Sequence, residues 1–219
     1  MTVSPQNDLV LHRLVARLES EEGCHTIILY GSRARGDAGP DSDYDIIGFR
    51  DREGPSVRET GVRDDALLDV FIYPSGRLAE PSADLLHVRG GQVLRDRDGR
   101  GAAFLGRLDD VFAAGPDPLP VDEIVARRNW AWKTLDRVGR GDVESHFRRA
   151  WLLTMQLENF FLLRNEWYLG SKTALGVLQA EHPDVYAVLE RALAPAASLA
   201  EIEALVLAVN GSRPAVRGG

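Results

Sequence analysis

The sequence predicts a small α/β or α+β unit followed by an all-helical half. Three observations carry this. Strand-like and helix-like stretches alternate over the first 114 residues. Everything beyond residue 120 has helical periodicity. Between the two lies Gly115-Pro116-Asp117-Pro118-Leu119-Pro120, where closely spaced prolines break helix and strand alike. The expected units are therefore 1–115 and 116–219.

The first unit opens with an amphipathic helix over 7–21, in which Leu9, Leu11, Leu14, Val15 and Leu18 recur at helical spacing. His25 to Tyr30 is a short β-branched and apolar run, read as a buried strand. Gly31-Ser32 follows at once, with helical residues after it. Tyr44 to Phe49 and Ala66 to Tyr73 are two more strands. A fourth, near Gln92–Arg95, and a helix near 101–113 complete the unit. The second unit offers helices at 121–138, 143–165, 172–180, 183–193 and 198–209, with Pro183 and Pro195 between them. All four tryptophans (130, 132, 151, 167) fall in this half. They either fill the core between antiparallel helices, or one or two of them line a pocket and stack on a flat ligand. The tail Arg217-Gly218-Gly219 reads as frayed.

The chain is 219 residues long with 44% apolar and 27% charged residues and a net charge of −7, the profile of a globular protein. It has a single cysteine, Cys24, which cannot form an internal disulfide and points to reducing cytoplasm. No apolar run approaches the roughly 18 residues of a membrane span. Asp8, Arg13 and Arg17 interrupt the N-terminal apolar residues, so they do not form a signal peptide. The acidic balance argues against a nucleic-acid duplex as partner, which would need a basic footprint. That balance is uneven: residues 1–118 hold 21 acidic and 14 basic side chains, and the remainder hold 12 of each. Of the 26 basic residues only Lys133 and Lys172 are lysine.

One stretch carries chemistry: Gly31-Ser32-Arg33-Ala34-Arg35-Gly36-Asp37, then Asp41-Ser42-Asp43-Tyr44-Asp45-Ile46-Ile47. Asp43 and Asp45 are one residue apart at the start of a strand, so both carboxylates project to one face. Two acids that close raise each other's pKa, and a hard cation such as Mg²⁺ relieves the repulsion while accepting substrate phosphates. Gly31-Ser32 sits between a buried strand and a helix start. Glycine lets the backbone come close to a ligand there, the helix end offers N–H groups to a phosphate, and the Ser32 hydroxyl adds a donor. Asp69 is the only acid in the apolar strand Leu67-Leu68-Asp69-Val70-Phe71-Ile72, where a charge is costly unless paired or metal-bound. Asp64 and Asp65, in a polar turn, are weaker candidates for a third carboxylate.

Gly-Ser, a short spacer, Asp-x-Asp and a third Asp on a later strand together resemble the signature of the nucleotidyltransferase superfamily that includes DNA polymerase β. The form Gly-Ser-Arg-Ala-Arg-Gly with Ser-Asp-x-Asp is similar to the minimal and the aminoglycoside nucleotidyltransferases. The match is detailed over residues 25–73 and looser at Gln92–Asp96. It implies an α+β fold on a small mixed sheet, a catalytic domain over 1–115, and an all-α helical-bundle domain over 116–219 that holds the acceptor. By this resemblance Asp43 and Asp45 hold two Mg²⁺ ions and Asp69 holds one of them. Gly31 and Ser32 bind the β- and γ-phosphates of ATP or another NTP. Arg35 either contacts phosphate, braces the carboxylates or forms a structural ion pair, and Arg33 is read as solvated.

In the helical half, Glu158 lies among Thr154, Met155, Phe161 and Leu162 and projects partly onto an apolar face. By resemblance to the aminoglycoside enzymes it is a general base; otherwise it is ion-paired to a nearby arginine. Lys172, after Gly170-Ser171 at a helix start, either meets the triphosphate, as a helical-domain lysine does in relatives, or is solvated. Lys133 reads as a surface residue. The five histidines show no metal-ligand spacing. Arg140 and His146 fit the loose pattern of HEPN ribonucleases at a frequency that chance supplies.

The function these readings favour is Mg²⁺-dependent transfer of a nucleoside monophosphate, AMP from ATP, to a small-molecule hydroxyl with release of pyrophosphate. Asp69 or Glu158 takes the proton. An acidic first half suits a cationic, aminoglycoside-like acceptor, and hence antibiotic resistance. The alternatives are adenylylation of a protein, as in antitoxins acting on a HEPN toxin, and a non-catalytic nucleotide-binding module. Polymerase or tRNA-end activity fits the acidic charge and small size poorly. No membrane partner is expected, and a homodimer sharing the cleft is compatible with the sequence.

Overall fold

The computed structural model describes residues 8–63 and 66–214. The Asp64-Asp65 turn, the Arg217-Gly218-Gly219 tail and Asn7 at the head of the first expected helix lie outside them. The chain divides into two compact units, Met1–Ala114 and Gly115–Gly219.

In the first unit the element order is α1 (Leu9–Ser20), β1 (Cys24–Tyr30), α2 (Gly31–Arg35), β2 (Tyr44–Arg50), β3 (Val57–Arg63), β4 (Ala66–Pro74), α3 (Gly76–Ala79), a 3-10 segment (Ala83–Val88), β5 (Gln92–Arg95) and α4 (Arg100–Ala114). The strands form one mixed sheet in the order β3-β4-β2-β1-β5. Only β2 and β4 run parallel; the other neighbours are antiparallel. The expected α+β fold on a small mixed sheet is the fold found.

α1 starts where Asp8 accepts hydrogen bonds from the N–H groups of Val10 and Leu11, a side-chain cap that satisfies donors the helix cannot. Its Leu11, Leu14 and Leu18 bury against Ile27 and Leu29 of β1, Ile46 of β2, and Leu68, Val70 and Ile72 of β4. Alternate residues of β4 are thus committed to the face under α1, which turns Asp69, Phe71 and Tyr73 to the other face. On that second face Phe49 meets Phe104 of α4 edge to face, with ring centres 5.1 Å apart, and both rings are fully buried.

β3 and α3 are absent from the sequence reading. β3, Val-Arg-Glu-Thr-Gly-Val-Arg, is exposed at all but one position, so it lacks the apolar alternation that marks a half-buried strand. It forms because it pairs along its whole length with β4 at the sheet edge, where charged residues are tolerated and discourage pairing with other chains.

The second unit contains α5 (Val121–Val138), α6 (Val143–Leu162), α7 (Ser171–Glu181), α8 (Pro183–Leu193) and α9 (Leu199–Asn210). Their apolar faces share one core that includes Trp132, Leu152, Phe160, Leu178, Leu189 and Val206. α6 ends three residues before the expected Asn165, whose φ of 59° lies in the left-handed region. α9 begins at a capping box in which Ser198 and Glu201 satisfy each other's backbone N–H. The tryptophans divide in role. Trp132 is core, Trp130 is partly buried, and Trp151 is 46% exposed with its ring against that of Trp130. Core filling thus describes Trp132 and fails for Trp151.

Candidate active site

The site is built on one row of the sheet. Tyr30 of β1 pairs with Asp45 of β2, Asp45 with Asp69 of β4, and Asp69 with Thr60 of β3. Residues directly opposed across a ladder share a face, so both carboxylates point the same way from adjacent parallel strands. Asp43 precedes β2 by one residue and lies two positions from Asp45.

Gly31 begins α2 straight after β1, at φ 68°. A Cβ there would fall 2.0 Å from Oδ2 of Asp45 and 2.8 Å from its Cγ. Both the left-handed backbone and the approach of the carboxylate demand glycine. α2 itself is a single turn closed by Gly36 in the left-handed conformation, and Gln92 of β5 donates to the Ala34 carbonyl at 2.5 Å. Ser32 is buried at the start of that turn.

The loop into Asp43 is held from two sides. Arg33 Nε donates to the Asp43 carbonyl at 3.0 Å and its Nη2 to the Ser42 carbonyl at 2.6 Å. The same guanidinium lies 3.8 Å from the centre of the Tyr44 ring, a cation–π contact. The Tyr44 hydroxyl in turn donates to Asp8 at 2.7 Å. The reading of Arg33 as solvated is therefore corrected: its fork binds the carbonyls of Ser42 and Asp43 in the Asp-x-Asp loop. Arg35, half-exposed, makes a 3.5 Å ion pair with Asp37. No sequence pattern marks Arg33 over Arg35, since both sit at the end of the same turn and only the loop's return path separates them.

Asp69 is held by Arg58 of β3. Nε donates to Oδ1 and Nη2 to Oδ2, both at 2.9 Å. This supplies the partner that an acid in an apolar strand requires, from an exposed strand that apolar patterning does not reveal. Among the described residues, no three carboxylate, histidine or cysteine side chains lie close enough together to hold a metal ion. Tyr30, beside the carboxylates, has its phenol pushed well up, first by burial and then by the negative charges of Asp45 and Asp69.

In the helical unit Glu158 is one-third exposed and lies 3.6 Å from Nη1 of Arg127. Arg127 also binds Glu123 and the Asn159 side chain. Lys172 is exposed in the first turn of α7, after Gly170 at φ 86°. Lys133, Arg140 and His146 are exposed.

Residues 11–73 match the nucleotidyltransferase domain family. That span runs from within α1 through the Asp69 strand, so it contains the Gly31 turn and all three aspartates. The match places a nucleotidyltransferase domain in the first unit and supports a nucleotidyltransferase enzyme. A solved nucleotidyltransferase-like protein from Exiguobacterium sibiricum aligns with 92% of this chain and 77% of its own length, at 12% identity and a TM-score of 0.41. No curated protein matches.

Among the described residues no helix is long and apolar enough to cross a membrane.

Proposed function

We propose that the protein transfers a nucleoside monophosphate, AMP from ATP, onto a hydroxyl of a small cationic molecule, with pyrophosphate as the other product. The observation that carries this reading is the in-register pair Asp45 and Asp69 on adjacent parallel strands, with the Gly31 backbone against Asp45.

The donor set suits a hard divalent cation, being carboxylate oxygens only, with the Gly31 backbone close against the Asp45 carboxylate. Asp43, Asp45 and Asp69 would hold Mg²⁺ by drawing closer together than they stand without it, and the ion when bound would offset charge on the transferring phosphoryl group and the leaving pyrophosphate. Gly31 and Ser32 bind the β- and γ-phosphates, the glycine by close backbone approach and the serine through its hydroxyl. Arg35 reaches phosphate once it leaves Asp37, an exchange of one exposed anion for a more highly charged one. Asp69 or Glu158 accepts the proton of the attacking hydroxyl. In the helical unit, Glu158 and Lys172 serve the acceptor and the triphosphate.

The charge distribution supports a cationic acceptor of aminoglycoside type. The first 118 residues carry seven more acidic than basic side chains, and the rest of the chain balances. An acidic surface raises the local concentration of a polycation.

The test is pyrophosphate release from each NTP in Mg²⁺, screened against aminoglycosides and other hydroxyl acceptors. Asp43→Asn and Asp45→Asn should each abolish release while circular dichroism and melting temperature stay close to wild type. Release at the wild-type rate by both variants would overturn the reading.

A further inference from the structure

Asp45 and Asp69 stand in register on neighbouring strands, so two negative charges face the same small volume. Without a cation this arrangement is self-repelling. The edge strand β3 supplies a counter-charge. Along β3 the residues alternate: Glu59 turns away and binds Arg17 of α1 at 2.7 Å, whereas Arg58 turns to the carboxylate face. There Arg58 is aimed by three contacts, a hydrogen bond to each oxygen of Asp69 and the Phe71 ring 4.8 Å beneath its guanidinium. The fork is two-pronged, the strongest geometry open to a carboxylate. Yet Arg58 remains 58% exposed while Asp69 is 20% exposed, so the arginine can leave into solvent and the acid cannot.

We infer that Arg58 is a positioning residue that stands in for the divalent cation: it holds Asp69 in line through both carboxylate oxygens when no cation is bound, and it yields them when one is. This rests on the reading of Asp43, Asp45 and Asp69 as the cation ligands. A cation that takes Asp69 must compete with a guanidinium for the same oxygens and against its charge. The cost of an arginine stand-in is weaker cation binding; the gain is a carboxylate row that stays folded and aligned while empty.

The experiment titrates Mn²⁺ into EDTA-stripped full-length protein without nucleotide, reading bound Mn²⁺ by electron paramagnetic resonance, with thermal melts in parallel. Arg58→Gln should bind Mn²⁺ about twofold to fivefold more tightly than wild type, the range expected from losing a partly exposed ion pair. It should also melt below wild type in EDTA, and the gap should narrow as Mn²⁺ is added. Arg58→Lys keeps the charge without the fork and should fall between the two. Equal or weaker Mn²⁺ binding by Arg58→Gln, or by Arg58→Lys should the glutamine variant not fold, overturns the inference. Asp45→Asn separates the two levels of the claim. If wild type binds no Mn²⁺, or Asp45→Asn binds it as wild type does, the cation site itself is wrong; if Asp45→Asn loses Mn²⁺ but the Arg58 variants change nothing, only the role of Arg58 fails.

Discussion

Gly31 lies so close to Asp45 that a methyl group on it would sit 2.0 Å from the carboxylate oxygen. No rotation of Asp45 away from the turn leaves that carboxylate where it now stands. The turn and the acid are therefore one structural unit: the backbone conformation at the end of β1 fixes where the β2 carboxylate can be.

Gly31→Ala tests this coupling. Alanine at φ 68° costs about 1–2 kcal/mol of backbone strain alone, and the methyl displaces Asp45 in addition. The expected result is a modest fall in melting temperature and a loss of nucleotide transfer of about 100-fold, the scale set by ångström-level misplacement of a reacting group. An alanine variant with wild-type activity would show that Asp45 is not needed where it stands.

Tyr44 lies between the two acids of the motif and joins them to α1. Its hydroxyl donates to Asp8, the residue that caps that helix. Burial, then the hydrogen bond to Asp8 and its charge, push the phenol from an ordinary 10.0 up to about 12, with Arg33 opposing. The protonated phenol is the form the fold favours. Its contribution to stability is therefore complete below pH 10 and is lost as pH rises through about 12. Tyr44→Phe should lower stability by about 1 kcal/mol at neutral pH. The difference between wild type and variant, measured by urea unfolding, should shrink between pH 10 and 12. A difference that holds constant over that range would refute the hydrogen bond to Asp8.

Glu158 has an ion-pair partner, Arg127, at 3.6 Å, yet keeps one-third of its surface exposed. A partly exposed pair of this kind is worth little to stability, so a large effect of Glu158→Gln has to come through chemistry. As general base, Glu158 predicts a fall in transfer rate of about 100-fold or more with an unchanged melting temperature. A wild-type rate leaves Asp69 as the proton acceptor.

The sequence announces most of the first unit because its strands are apolar and its helices are periodic. β1, β2, β4 and the helical half follow from burial, and burial shows in residue type. β3 does not, because an edge strand of Arg, Glu and Thr is stabilised by ladder hydrogen bonds that any sequence can make. The site divides in the same way. Gly31, Asp43, Asp45 and Asp69 are visible as a spaced motif. Arg58 and Arg33 are not, since what singles them out among 24 arginines is which neighbour the fold brings within reach. The two roles that Asp8 plays, as helix cap and as acceptor from Tyr44, are likewise a property of the packed chain.

Cys24 gives a prediction independent of catalysis. It is 3% exposed, and a Cβ on Gly48 of the neighbouring strand would lie 2.8 Å from its sulfur, so glycine makes room for the thiol. Burial first, then the charge of Glu22, raises its pKa from 9.0 to about 11, against Arg50 and Arg17. At pH 8 the reactive thiolate falls from about one molecule in ten to about one in a thousand. The folded protein should therefore react with a thiol reagent at pH 8 far more slowly than the urea-unfolded chain, and faster as pH approaches 11. The fold's preference for the neutral thiol also means that its share of stability is intact below pH 9 and lost through 11. Gly48→Ala should destabilise wild type by about 1–3 kcal/mol through overpacking, and by less when combined with Cys24→Ala, which removes the sulfur the new methyl strikes. Equal losses in both backgrounds, or stoichiometric labelling of the native protein within mixing time at pH 8, would place the thiol elsewhere than against Gly48.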